Sequence, residues 1–415
     1  MSMSQTPANE LYYTDRETAR RFVDVVMSVS DLGARGAFPK PLVLANYCNA
    51  VGTLTTLDAC SDELKAVEDQ VARLPGHPGA YMRGLCRGLR AVIGILRGEN
   101  RPYIQLVRDI LDLEFTPIPD SEAEKLRAEL QEGLGRLGYR GRLSEQVDSW
   151  LAGTSLTGEP VIEYARQVVD ATRRDTLAKV VQLPETEGLD SIYAVRNVHY
   201  SGRSQYTGNH RGWLHFNVDK HWQKDVFIQV LCHEGYPGHQ TFYCLWDVLY
   251  NEGRWPLEAA YYQLNSPTNT VFEGGPEVAM HFIGWDEGDS RQALELRVGQ
   301  TYKDLQRIGM NNACLYANLG QMTRAEAVAY MEQHHTLTDD AVRAYSFMTD
   351  PLARTNYPQY YYGRRIVNEG YALMSGTEAD RRRFFDILYR TPHTTSTFIE
   401  AVAQATGTDF NPFVY

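Results

Sequence analysis

Cysteine is sparse and unclustered in this chain. The six cysteines, Cys48, Cys60, Cys86, Cys232, Cys244 and Cys314, include no CxxC pair, which excludes a dense disulfide framework and predicts scattered reduced thiols. No stretch approaches the roughly 20 apolar residues that a membrane helix needs. Residues 1–10 are polar, without the basic-then-apolar layout of a secretion signal. These absences predict a cytoplasmic protein with no membrane partner. Positive charge is also short, with 41 basic against 52 acidic residues and a net charge of -11. That balance argues against nucleic acid as the main partner, although one basic pocket can still receive a small substrate. Internal repeats and low-complexity tracts are lacking too. What remains is an ordinary globular composition, 43% hydrophobic over 415 residues, enough for a large core.

Helical signals dominate. Ser121 with Glu124, Thr323 with Glu326 and Thr377 with Asp380 have capping-box spacing. Apolar residues recur at helical intervals over 80–96, and 161–181 and 291–313 also read as helix. The best strand candidate is 213–218, where Trp213, His215 and Asn217 would face one way and Leu214, Phe216 and Val218 the other. A polar, proline-bearing stretch at 182–188 predicts a boundary, with an N-terminal helical lobe over 1–190 and a catalytic lobe over 191–415.

Seven of the eleven histidines fall between His199 and His281: His199, His210, His215, His221, His233, His239 and His281. A single histidine is more often a hydrogen-bonded core or surface group than a ligand, so only a pattern carries weight. The run Cys232-His233-Glu234-Gly235-Tyr236-Pro237-Gly238-His239-Gln240 supplies one. Upstream, Val226, Phe227, Val230 and Leu231 form an apolar stripe that carries His233 and Glu234 toward the interior. An unpartnered carboxylate there is costly, and a cation would relieve it. In the His-Glu-x-x-His motif the histidines stand four apart on one helix face. Here they stand six apart, and Pro237 with Gly238 predicts a local bulge that returns His239 toward His233.

A tetrahedral site with an open position needs a third protein ligand. The stretch Phe272-Glu273-Gly274-Gly275-Pro276-Glu277, leading to His281, offers it. A helix beginning near Glu273 would hold Pro276 in its first turn and set Glu273, Glu277 and His281 on one face. Glu273 is the expected ligand, with Glu277 and His281 behind it to orient the ligands. The plain alternative is an acidic helix N-terminus favoured by the helix dipole. The pair His334-His335 reads as helix surface, because adjacent helical residues diverge.

The run HEGYPGHQ resembles the HExxxGH signature of the bacterial family catalogued as domain of unknown function 885. Phe272-Glu273-Gly274-Gly275 is similar to that family's EGW segment, and Tyr357-Pro358-Gln359-Tyr360-Tyr361-Tyr362-Gly363 to its segment ending in Tyr-x-x-Gly. Order and placement match over the C-terminal half. Gln240 stands where a second histidine is common, and Gly275 where the tryptophan of EGW stands. The resemblance implies a mainly α, gluzincin-like zinc-metallopeptidase fold with a small β element near the site. It further implies a metal-dependent hydrolase cleaving short peptides or amino-acid derivatives.

On that footing zinc is the expected cofactor, with iron or manganese also suited to mixed His/Glu ligation. Glu234 is the expected general base and Tyr360 the expected oxyanion donor. The plain reading of Tyr360 and Tyr361 is aromatic packing. The strand at 213–218 would be the edge that receives an extended substrate. Asn209, Arg211, Asn217, Tyr361 and Arg364 are expected to bind substrate, with Arg354 and Arg365 also placed to meet a carboxylate. Two other functions compete: a metalloenzyme (amide hydrolase, lyase or iron-dependent oxidative enzyme) acting on a small metabolite, and a non-catalytic helical interaction protein with a vestigial metal site. The sequence leaves the oligomeric state open.

Overall fold

A computed structural model describes residues 10–36, 41–198 and 200–415; His199 and residues 1–9 lie outside them. The chain is mainly helical, with strands confined to three small sheets among the described residues. Helix α1 (Arg16–Arg35) is capped by Asp15, whose carboxylate accepts from the N–H groups of Glu17 and Thr18. Strand β1 (Val43–Asn46) and helices α2 (Leu57–Val71), α3 (Gly76–Leu96) and α4 (Tyr103–Leu111) follow. Next come α5 (Asp120–Leu137), α6 (Leu143–Gly153), the short β2 (Ser155–Leu156) and α7 (Pro160–Lys179). Ser121 does not cap α5. Pro119 occupies the cap position, and its fixed φ starts the helix ahead of the expected box.

Strands β3 (Gly188–Val195), β4 (Gly202–Gly208) and β5 (Arg211–Asn217) form a three-stranded sheet in the order β3-β5-β4. The alternation read from 213–218 is there, with Leu214 and Phe216 buried on one face. Its place in the sheet differs from the expectation: β5 is central, parallel to β3 and antiparallel to β4. The free edge beside the histidines belongs to β4. Sequence alternation reports burial on a face, not position within a sheet.

Strand β6 (Trp222–Gln223) pairs with β2 and leads into α8 (Lys224–Glu234) and α9 (His239–Asn251). Strand β7 (Tyr261–Gln263) pairs with β1 and precedes α10 (Asn269–Phe282) and the long α11 (Arg291–Asn318). The chain ends with α12 (Arg324–Gln333), α13 (Thr338–Met348), α14 (Tyr357–Met374), α15 (Glu378–Arg390) and α16 (Thr395–Thr406). Thr323 and Thr377 cap α12 and α15 as their spacing predicts.

The largest apolar cluster runs from Phe22 and Val26 through Leu85 and Val92 to Phe242, Phe272, Ile366 and Phe384. It joins helices from both sides of residue 190, so the expected two-lobe division is not marked by a gap in this core. A second cluster packs α7 and α8 on the three-stranded sheet through Val169, Leu214, Phe216, Phe227 and Leu231. The crossing of α10 on α14 is the one that builds the site. A Cβ on Gly274 would stand 2.3 Å from the Gly363 carbonyl oxygen, so the backbones meet only because both residues are glycine. That contact brings the tyrosines of α14 up to the glutamates of α10.

Candidate metal centre

Helix α8 buries Phe227 and Leu231 and carries His233 and Glu234 into the interior one step later, as the stripe predicts. The expected bulge is instead a complete break. Helix α8 stops at Glu234, Gly235 leaves helical geometry, the Tyr236–Pro237 peptide is cis, and His239 opens α9. Proline disfavours helix at Tyr236 and removes a donor, so two helices replace one distorted helix. The loop folds back on the end of α8, where the Gly238 N–H donates to the Cys232 carbonyl at 3.0 Å. A Cβ on Gly238 would lie 1.9 Å from the His233 carbonyl oxygen, so glycine is obligatory there. The Tyr236 phenol donates to Glu187, itself held by Arg173 at 2.8 Å, and Tyr389 donates to the Pro237 carbonyl at 2.7 Å. The two imidazoles end 4.6 Å apart, nearly perpendicular.

Helix α10 begins at Asn269, one turn before the expected start, so Glu273 lies in its second turn and Pro276 inside it. The Asn269 side chain accepts from the Ser266 N–H and donates to the Gln263 carbonyl, which organises the helix entrance earlier than the glutamate. Glu273 Oε2 lies 3.3 Å from His233 Nε2 and 3.5 Å from His239 Nε2. Phe272 stacks on His239 at 4.5 Å, fixing that ring from the side. Among the described residues these three are the one group of His, Cys, Asp or Glu side chains arranged to hold an ion, with one donor atom from each within 4.8 Å of the others.

Glu277, one turn further, places Oε1 2.8 Å from His233 Nδ1. It also meets Lys303 at 3.3 Å and pairs with Arg307. Burial alone would lower His233, but Glu277 and Glu273 outweigh it and bring the imidazole up to about 9. Burial likewise opposes ionisation of Glu273, yet His239 and His233 hold it down to about 2. Burial, reinforced by Arg307, brings Lys303 down to about 8 against the pull of Glu277.

Glu234 stands beside the three donors without joining them. Its Oε2 accepts the Ser204 N–H of edge strand β4 at 2.7 Å. His233 and Glu234 open onto a cleft of about 470 Å³, bounded by Tyr200 and Gly202 on one side and Lys303, Arg307, Tyr360 and Tyr361 on the other. Burial raises Tyr360 far above the usual phenol range, with Glu273 adding to the effect, so it is a neutral donor at physiological pH. Arg307 lies over its ring at 5.4 Å.

Several expected residues stand elsewhere. His281 is turned to Asp286, with Nδ1 2.9 Å from Oδ1, at a separate surface hollow of about 820 Å³. Asn209 and His210 form the β4–β5 turn with φ of 52° and 65°, the left-handed pair that a two-residue hairpin requires. Arg211 is paired with Asp190 at 2.7 Å. Asn217 donates to the Val198 and Tyr200 carbonyls. Arg364 is held by Asp304 and the Glu277 carbonyl. Arg354 lies over Tyr103, and Arg365 pairs with Glu369. None of these lines the cleft; Tyr361 does. Ser204, Lys303 and Arg307 carry no signal in the sequence. The two cations stand four apart on α11, far along the chain from the motif, where they look like an ordinary solvated face.

No family model matches the chain, and no curated protein matches it. Solved structures share its fold. A "putative lipoprotein" from Colwellia psychrerythraea superposes with a TM-score of 0.59 at 17% identity, over 86% of this chain and 64% of the other. A "putative lipoprotein of unknown function" from Shewanella oneidensis gives 0.54 at 14% identity, over 85% and 67%. The chain thus spans about two thirds of the length of each. Among the described residues no helix is long and apolar enough to cross a membrane.

Proposed function

We propose that this chain is a metal-dependent hydrolase of amide bonds in short peptides or amino-acid derivatives, holding one divalent ion, zinc foremost, at His233, His239 and Glu273. The observation that carries the reading is the spacing of the donors. Tetrahedral donors with bonds of about 2.0–2.1 Å stand about 3.3–3.4 Å apart, and here the two Nε2–Oε2 separations are 3.3 and 3.5 Å. Glu277 at His233 Nδ1 leaves Nε2 as the ligand atom, the usual arrangement behind a metal-binding histidine.

Held by His233, His239 and Glu273, an ion would supply Lewis acidity to a carbonyl and would lower the pKa of a water to about 7. The protein's own groups do the rest. Ser204 N–H fixes one oxygen of Glu234, and the carboxylate takes a proton from water and returns it to the departing nitrogen. The neutral Tyr360 phenol donates to the oxygen that gains charge at the carbonyl. The outer edge of β4 at Gly202, on the cleft wall beside the Ser204 N–H held by Glu234, receives an extended acyl segment by strand addition.

Glu234→Gln tests the reading. It should retain the ion and lose about 10²–10⁴-fold in turnover; unchanged turnover would remove Glu234 from the mechanism. The mixed nitrogen and oxygen donor set also suits iron or manganese, which favours a second reading, an oxidative or lyase reaction on a small metabolite. Elemental analysis and a peptide assay with and without oxygen separate the two.

A further inference from the structure

Glu277 is outnumbered. Its one carboxylate meets Lys303, Arg307 and His233 Nδ1, and only 1% of its side chain is exposed. Lys303 and Arg307 sit one turn apart on α11, each 13% exposed, and both line the cleft. A divalent ion at the centre offsets Glu234 and Glu273, which leaves the inner wall with one positive charge over. An uncompensated charge in so enclosed a wall is costly, and an anion brought by the substrate relieves that cost. An ammonium has three donors and a guanidinium five, so both cations have capacity beyond Glu277. The outer pair, Lys220 and Arg343, shares Asp340 in a similar way but is 28% and 53% exposed, where water screens it.

We propose that Lys303, assisted by Arg307, binds the free carboxylate of a substrate one residue beyond the scissile amide, so that the cleft takes N-acyl amino acids and the C-terminal bonds of short peptides. The inference rests on the hydrolase reading and adds its direction. Lys303 meets Glu277 Oε2 at 3.3 Å, and Oε1 of the same carboxylate lies 2.8 Å from His233 Nδ1, across the ring from the ligand atom Nε2. With the carboxylate, the ring and a metal bond of about 2 Å added, Lys303 stands at most about 12–13 Å from the centre. One extended residue spans at most about 3.6 Å, and with a contact of about 3 Å at each end it reaches about 10 Å, inside that limit. In the reaction the water oxygen bonds the carbonyl carbon and the C–N bond breaks. The proton held by Glu234 passes to the leaving nitrogen, giving an acid and a free amino acid.

The test uses zinc-loaded, full-length protein with N-benzoylglycyl-phenylalanine, its C-terminal amide, and the same acid lengthened by one residue. Expected are a kcat/KM about 10²-fold lower for the amide and release of the last residue alone from the longer acid. Lys303→Met should collapse the acid-to-amide ratio toward one; Lys303→Gln serves if the methionine variant does not fold. Calorimetry adds a readout without turnover: N-acetylphenylalanine should bind at least about tenfold tighter than its amide, and the Lys303 variant should lose the difference. Amide and acid cleaved alike would overturn the carboxylate assignment and leave the hydrolase standing. If nothing is cleaved the hydrolase reading fails, and equal binding of acid and amide would then overturn this inference as well.

Discussion

Among the described residues, two pairs of histidines pack ring against ring, in opposite surroundings. His233 and His239 face Glu273 and Glu277. His77 and His393 stand 5.0 Å apart, edge to face, beside Tyr13, Tyr81 and Phe398. In the second pair His77 contacts the Pro392 carbonyl and His393 the Thr397 hydroxyl. The consequences diverge. Carboxylates bring His233 up to about 9 in spite of burial, whereas burial, with His77 alongside, takes His393 down to about 3. Burying histidines does not make a cation site. Acidic residues delivered from another helix set the first pair apart, and without them a histidine pair is neutral packing.

The difference can be broken most visibly at the ligands. His233→Ala or His239→Ala should leave purified protein without a stoichiometric ion and reduce hydrolysis to background. His77→Ala should keep both, and loss of the ion from that variant would collapse the distinction between the pairs. A second effect lies in acid. Unfolded His393 takes a proton near 6.5, the folded residue only near 3, so the unfolded state binds more protons in between. Stability is therefore full above about pH 6.5 and declines as pH falls toward 3, by roughly 3–5 kcal/mol from this residue. Denaturant titrations of wild type and His393→Asn should show a shallower acid decline in the variant; parallel curves would contradict the assignment. The smallest effect sharpens the first pair. Glu277→Gln should weaken metal binding about 10–100-fold in competition with a chromophoric chelator, and an unchanged affinity would deny Glu277 any hold on His233.

Much of the centre was legible because its elements are local. The apolar stripe before His233 fixes which way that residue points, and Pro237-Gly238 announces a local irregularity in the helix. What the spacing could not show is that the interruption is a full break, since that depends on Tyr236 reaching Glu187 and Tyr389 reaching Pro237. Glu273 is read as the third donor from a helix start expected near that residue, whereas the start lies at Asn269. The sheet edge was misplaced because alternation in β5 describes a buried face and carries no information about which neighbour lies outside it. Lys303 and Arg307 carry no local signal for a similar reason. The role proposed for them depends on Glu277, and the packing of α11 against α8 and α14 is long-range. His281 shares a helical interval with the glutamates, but Asp286 draws it away.

The most direct measurement is the metal content of untagged protein by elemental analysis, before and after dialysis against a chelator and then against zinc. The account predicts close to one ion per chain, removed by the chelator, restored by zinc, and absent from Glu273→Ala. Protein that carries no transition metal and takes none up would contradict it.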